Sequence, residues 1–107
     1  MNYLRKQISP SATTLTDFYT VLSGVGNHTL IKTIIVCNRS ATSTAFRISL
    51  AIRGAADAIS QYWFYDAPIL GNETLILDAN FSIGYSDVVR VYASLATLTF
   101  NISGEEY

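Results

Sequence analysis

One cysteine, one histidine, one tryptophan and two prolines stand among 107 residues, and only 14% of the chain is charged. Each scarcity excludes something. Cys37 alone can form no intrachain disulfide. A small secreted domain ordinarily carries several bridges, so folding in a reducing compartment is expected. Within the run Ile34-Ile35-Val36-Cys37, the thiol reads as a small buried hydrophobe. His28 sits in a Gly/Asn turn with no Cys, His or carboxylate at ligand spacing, so no His/Cys zinc set can be assembled. A nucleophilic Ser or Cys would lack an oriented base. The chain has no G-x-S-x-G sequence, and Gly24-Val25-Gly26 lacks the third glycine and following helix of a dinucleotide loop. Seven basic against eight acidic residues leave a net charge of -1, without the basic stripe of a nucleic-acid binder. No apolar run reaches the roughly 18 residues of a membrane-spanning helix. The opening Met1–Thr14 has no apolar segment after Arg5-Lys6, so no signal peptide is expected there. The residues therefore point to a protein that is not an enzyme, with no metal, cofactor, nucleic-acid or membrane partner.

What is abundant is β-forming sequence: half of the residues are hydrophobic, and Val, Ile, Thr, Tyr and Phe crowd short segments. Eight strands are predicted, over 14–22, 29–38, 44–52, 61–67, 73–78, 80–85, 88–94 and 97–103. Phe46, Ile48, Leu50 and Ile52 share one face against Arg47, Ser49 and Arg53. Leu98, Phe100 and Ile102 oppose Thr97, Thr99, Asn101 and Ser103, and Val89, Val91 and Ala93 oppose Arg90 and Tyr92. Leu30 to Cys37 is apolar on both faces, as expected of a central strand or one covered by another subunit. The connections are too short for crossover helices, which excludes a parallel sheet. The expected fold is all-β: one antiparallel β-sandwich of about eight strands, jelly-roll or immunoglobulin-like. Residues 1–12 are expected as an N-terminal arm or a short edge strand, 13–104 as the sandwich, and 105–107 as a loose tail.

Two features invite a functional reading. Tyr62-Trp63-Phe64-Tyr65 places two aromatics on each face of a strand, one pair for the core and the other for a subunit interface or a sugar-stacking platform. N-x-[ST] recurs at Asn27, Asn38, Asn72, Asn80 and Asn101, above chance for this composition. Without a signal peptide or disulfides, this reads as turn-and-strand chemistry rather than glycosylation. Within the arm, Tyr3, Leu4, Arg5, Lys6 and Ile8 make a mixed docking segment of the kind that orders on a partner.

In chain order, Ile35-Val-Cys-Asn-Arg-Ser40, Thr44-Ala-Phe-Arg-Ile-Ser-Leu50, Gly54-Ala-Ala-Asp57, Gln61-Tyr-Trp-Phe-Tyr-Asp66, Asp87-Val-Val-Arg-Val-Tyr-Ala93 and Thr99-Phe-Asn-Ile-Ser-Gly104 make an ordered series of strand and turn motifs. From Leu4 to Gly104 it resembles small virion proteins of tailed bacteriophages and prophages, including cyanophage capsid cement (decoration) proteins. The resemblance implies a sandwich without catalytic residues, bound to the major capsid protein on the outside of a phage head. By analogy it implies a homotrimer, located on the virion and, during assembly, in the bacterial host cytoplasm. The expected shell contact is Tyr3, Leu4, Arg5, Lys6 and Ile8. The expected subunit interface is Tyr62, Trp63, Phe64 and Tyr65. Competing readings are a tail, neck or fibre-associated module, or a carbohydrate-binding module using the aromatic strand.

Overall fold

Period-two alternation builds the molecule. The computed structural model describes the chain from Met1 to Tyr107, the side chain of residue 79 apart. The described residues form β1 (Asn2–Ile8), β2 (Thr16–Thr20), β3 (His28–Asn38), β4 (Thr44–Ala51), β5 (Tyr62–Ile69), β6 (Thr74–Gly84), β7 (Val88–Ala93) and β8 (Leu98–Glu106). Two short 3-10 turns, Ile52–Gly54 and Ile59–Gln61, lie in the connection between β4 and β5. The strands make two four-stranded antiparallel sheets, β1-β8-β3-β6 and β2-β7-β4-β5. That interleaved order is the double Greek key of a jelly roll, which decides between the two expected topologies.

Each sheet turns one face inward. Leu4, Ile31, Ile34, Val36, Leu98, Phe100 and Ile102 come from the first sheet, and Phe18, Phe46, Ile48, Val89 and Val91 from the second. Phe46 and Phe100 meet edge-to-face across the layers with centroids 6.1 Å apart. Burying such a side chain contributes roughly 1.5–3 kcal/mol relative to leaving it exposed. β3 lies centrally, between β8 and β6, as its two apolar faces suggest. Cys37, however, alternates with the buried Val36 and points outward, where it is half-buried rather than in the core.

Three boundaries differ from the sequence reading. Of the two forms expected for residues 1–12, the edge strand is the one present over most of their length: Asn2 to Ile8 pair continuously with Glu106 to Phe100. Leu4 is buried and Ile8 packs on the core, with Lys6 between them on the same inward row. That charge hides the alternation. Lys6 leaves at the edge of the sandwich, where its Nζ reaches the Phe18 carbonyl at 3.5 Å. The segments 73–78 and 80–85 are one strand, because Asp78-Ala79-Asn80 is no turn. Asn80 takes a φ of 56° while β3 shifts register between Ile31 and Thr33, so the irregularity is absorbed as a bulge. The tail is not loose: Glu105 and Glu106 continue β8, and Tyr107 exchanges backbone hydrogen bonds with His28. Gly104 permits this close pairing, since a Cβ there would collide with the backbone of Leu30 and Ile31.

Candidate functional site

The aromatic strand does not alternate as four consecutive β residues would. β5 shifts register twice against β4, and Asp66 adopts a φ of 50°. Phe64 faces Ile48 and packs on the core beside Phe46. Trp63 fills the edge between the layers, stacked on Phe81 of the opposite sheet at 4.0 Å. A half-buried indole with one face covered is poorly placed as a sugar platform. Tyr62 and Tyr65 are the outward pair, in edge-to-face contact at 5.0 Å, with Tyr65 49% exposed. The pairing is thus adjacent rather than alternate, a consequence of the bulge.

The same bulge lets Tyr65 and Asp66 both reach Arg47 on β4. Arg47 binds Asp66 through two guanidinium nitrogens, at 2.7 and 3.3 Å, and lies between the rings of Tyr65 and Tyr92 at 4.2 and 4.4 Å. The Asp66 hydrogen bond raises the Arg47 pKa further above its ordinary value. Tyr62 donates to Asp57 at 2.9 Å, and its hydroxyl is pushed up first by burial and then by that carboxylate. The result is a pre-oriented patch of three tyrosines around an ion pair. Tyr and Arg are the residue types enriched at protein contacts.

Of the expected shell-contact residues, the structure leaves Tyr3, Arg5 and Lys6 exposed. Leu4 is a core residue and is withdrawn from any contact role, because its inward row is already covered. Ile8 is half-buried against the same core.

One end of the sandwich gathers features that the sequence reading missed. The connections β2–β3, β4–β5 and β6–β7 all emerge there. The first two expose Leu22 (73%), Val25 (90%), Ile52 (62%) and Ile59 (74%). Ile52, expected to share the inward face of β4, lies beyond its end in a 3-10 turn. The loops are held by Asp87, only 4% exposed. Its carboxylate accepts from the Arg53 backbone N–H at 3.0 Å, the Arg53 guanidinium at 3.3 Å and the Gly84 N–H at 2.8 Å, while its carbonyl accepts from Val21 N–H at 3.0 Å. Arg53 takes a φ of 57° and lays its guanidinium over Tyr85 at 3.6 Å. A large aliphatic inside the Gly24/Gly26 turn was the available signal, since turns rarely need Val.

A second buried polar group sits nearby. The Tyr19 hydroxyl donates to Glu106 at 2.6 Å and shares a hydrogen bond with Thr29 at 2.7 Å. Burial, then the Glu106 carboxylate, push its pKa to about 12. His28, expected as a solvated loop residue, is exposed and stacks on Tyr107 with centroids 4.9 Å apart. Among the described residues, no group of three or more His, Cys, Asp or Glu is placed to hold a metal. Compared with known protein families, curated proteins and solved structures, the chain matches none.

Proposed function

We propose that the chain is a structural decoration protein of a tailed-phage head, binding the major capsid protein on the outer surface of the shell and reinforcing it. The observation that carries this reading is the loop end: four large aliphatic side chains stand exposed on two of its connections, one tied by the Asp87 carboxylate and the other by the Asp87 backbone carbonyl. Soluble domains rarely leave such groups uncovered unless a partner covers them. The jelly roll is an architecture used by viral capsid domains, and the strand motifs resemble phage cement proteins, which supports the choice of partner.

The shell contact is accordingly placed on Leu22, Val25, Ile52 and Ile59 rather than on the N-terminal segment, most of which is committed to β1. Covering each aliphatic contributes at most about 1.5–3 kcal/mol, part of which offsets the cost of association. Many copies on one shell add their modest contacts by multivalency. Subunits meet through Tyr62, Tyr65, Arg47 and Tyr92, in the trimer that the resemblance implies; Trp63 and Phe64 support this face from within.

The test is co-sedimentation with phage heads that lack the protein. Ile52→Asp and Leu22→Asp each put an unpaired charge into the contact, and each weakens binding at least about tenfold, which corresponds to about 1.4 kcal/mol. Unchanged binding by both variants removes the proposed surface. Light scattering of the purified chain reads the subunit contact separately: a trimer mass that falls on Tyr65→Ala supports it, and a stable monomer opposes it.

A further inference from the structure

The outward face of the other sheet carries a groove that the proposed contacts leave free. It runs along β8 between β1 and β3 and measures about 690 Å³, lined by Arg5, Gln7, Thr33, Ile35, Asn101 and Ser103. It continues toward Tyr3 and Lys32 as a second depression of about 510 Å³. The register explains the shape. Arg5 lies opposite Ser103 and Thr33, and Gln7 opposite Asn101 and Ile35, so short side chains on the middle strand are flanked by longer ones. From Asn101 to Glu105 the trough extends about 14 Å, at about 3.4 Å per residue.

Of its polar groups, Thr33 donates to Asp78 at 3.3 Å, and most of the others are unspent. Asn27 binds the Ser23 carbonyl, Asn38 binds the carbonyls of Thr42 and Leu70, and Asn72 and Asn80 take positive φ. Those four N-x-[ST] asparagines therefore have structural tasks. Among the described residues, Asn101 has no side-chain hydrogen bond, nor do Gln7, Ser103 and Arg5. The charges are equally selective. Lys32 is bound to Glu105 at 2.9 Å, each holding the other in its charged form, and Lys6 reaches away to Phe18. Lys6 and Arg39 are bound only to hydroxyl or carbonyl oxygens, and among the described residues Arg5 is the groove's cation with no side-chain hydrogen bond at all.

We propose that this groove binds an oligosaccharide bearing carboxylates. Planar amides and a guanidinium present the paired donors and acceptors that vicinal hydroxyls require. Ile35 and the Tyr3 ring, 81% exposed, offer apolar surface to the C–H faces of sugar rings. Arg5 supplies charge complementarity for a uronate or sialate carboxylate. A polyphosphate chain has no C–H face to lay on Ile35 and Tyr3 and would engage the groove only through the charge of Arg5. The site is independent of shell binding.

Calorimetric titration of the purified chain with hexamers of galacturonate, guluronate and sialate, and with uncharged maltohexaose, tests it. At least one acidic hexamer is expected to bind saturably and at least about tenfold more tightly than maltohexaose. Asn101→Ala and Gln7→Ala each weaken that binding about threefold to tenfold, the loss of one hydrogen bond. Arg5→Gln removes the preference for acid while leaving the unfolding temperature unchanged, and the side-chain amide resonances of Gln7 and Asn101 shift on titration. Silence from every acidic hexamer overturns the proposal, as does equal binding of maltohexaose or indifference to Arg5→Gln and Asn101→Ala together.

Discussion

Replacing Asp87 by alanine removes the acceptor for three donors at once. The N–H groups of Arg53 and Gly84 lose bonds of 3.0 and 2.8 Å, and the Arg53 guanidinium one of 3.3 Å. A buried donor left unsatisfied costs about 1–3 kcal/mol, whereas the guanidinium can swing into solvent at little cost. The two backbone donors therefore set the scale, and partial access of water to the loops brings the total to about 2–4 kcal/mol. That is a large share of the roughly 5–15 kcal/mol that holds a domain of this size. It lowers the unfolding temperature by about 8–32 °C, taking about 4–8 °C per kcal/mol. The left-handed Arg53 then loses its anchor, so amide exchange of residues 52–61 and of Gly84 rises more than that of the β-sheet core, while the backbone bond from Val21 to the residue 87 carbonyl is kept. Asp87→Asn keeps one acceptor oxygen but presents an amide donor to one N–H, and costs about half as much. Denaturant unfolding with hydrogen exchange reads both. An Asp87→Ala protein within about 0.5 kcal/mol of the parent, with unchanged loop exchange, refutes the reasoning.

Tyr19→Phe strands the buried Thr29 hydroxyl and costs about 1–3 kcal/mol at neutral pH. Because the folded pKa lies above the unfolded value, the Tyr19 contribution is complete below pH 10 and is lost as pH rises toward about 12. The gap between parent and Tyr19→Phe therefore narrows over that range, and a constant gap contradicts the assignment. Ser49→Ala removes a fully buried hydroxyl without a hydrogen-bond partner and is expected to be neutral, or stabilising by up to about 1 kcal/mol; a loss greater than that would show an overlooked partner. Gly104→Ala drives a Cβ into the β3 backbone and costs about 1–3 kcal/mol by thermal unfolding, where an unchanged midpoint would contradict the close strand approach.

The fold class was legible because alternation is local: Leu98-Phe100-Ile102 and Val89-Val91-Ala93 declare their inward faces without reference to a partner. The jelly-roll order was not, since strand pairing across the molecule leaves no periodic trace. β1 was obscured by Lys6, whose stem follows the inward row while its amine leaves at an edge that exists only after the layers close. The Tyr62–Tyr65 reading divided the aromatics correctly into two and two but mispaired them, because a left-handed Asp66 cannot be foreseen from propensity. Leu22, Val25, Ile52 and Ile59 looked like turn filler or strand continuation. Their significance comes from three connections meeting at one end, and from Asp87, whose three partner residues lie at positions 21, 53 and 84, remote in sequence apart from Gly84.

As the proposed decoration protein, this jelly roll would cover a phage shell. Quantitative mass spectrometry of purified particles from a phage that encodes the chain tests it most directly, with the major capsid protein as internal standard. A decoration protein is present in hundreds of copies per particle, in fixed proportion to the capsid protein. A handful of copies would assign the chain to a tail or neck, and absence from the particle would contradict the account.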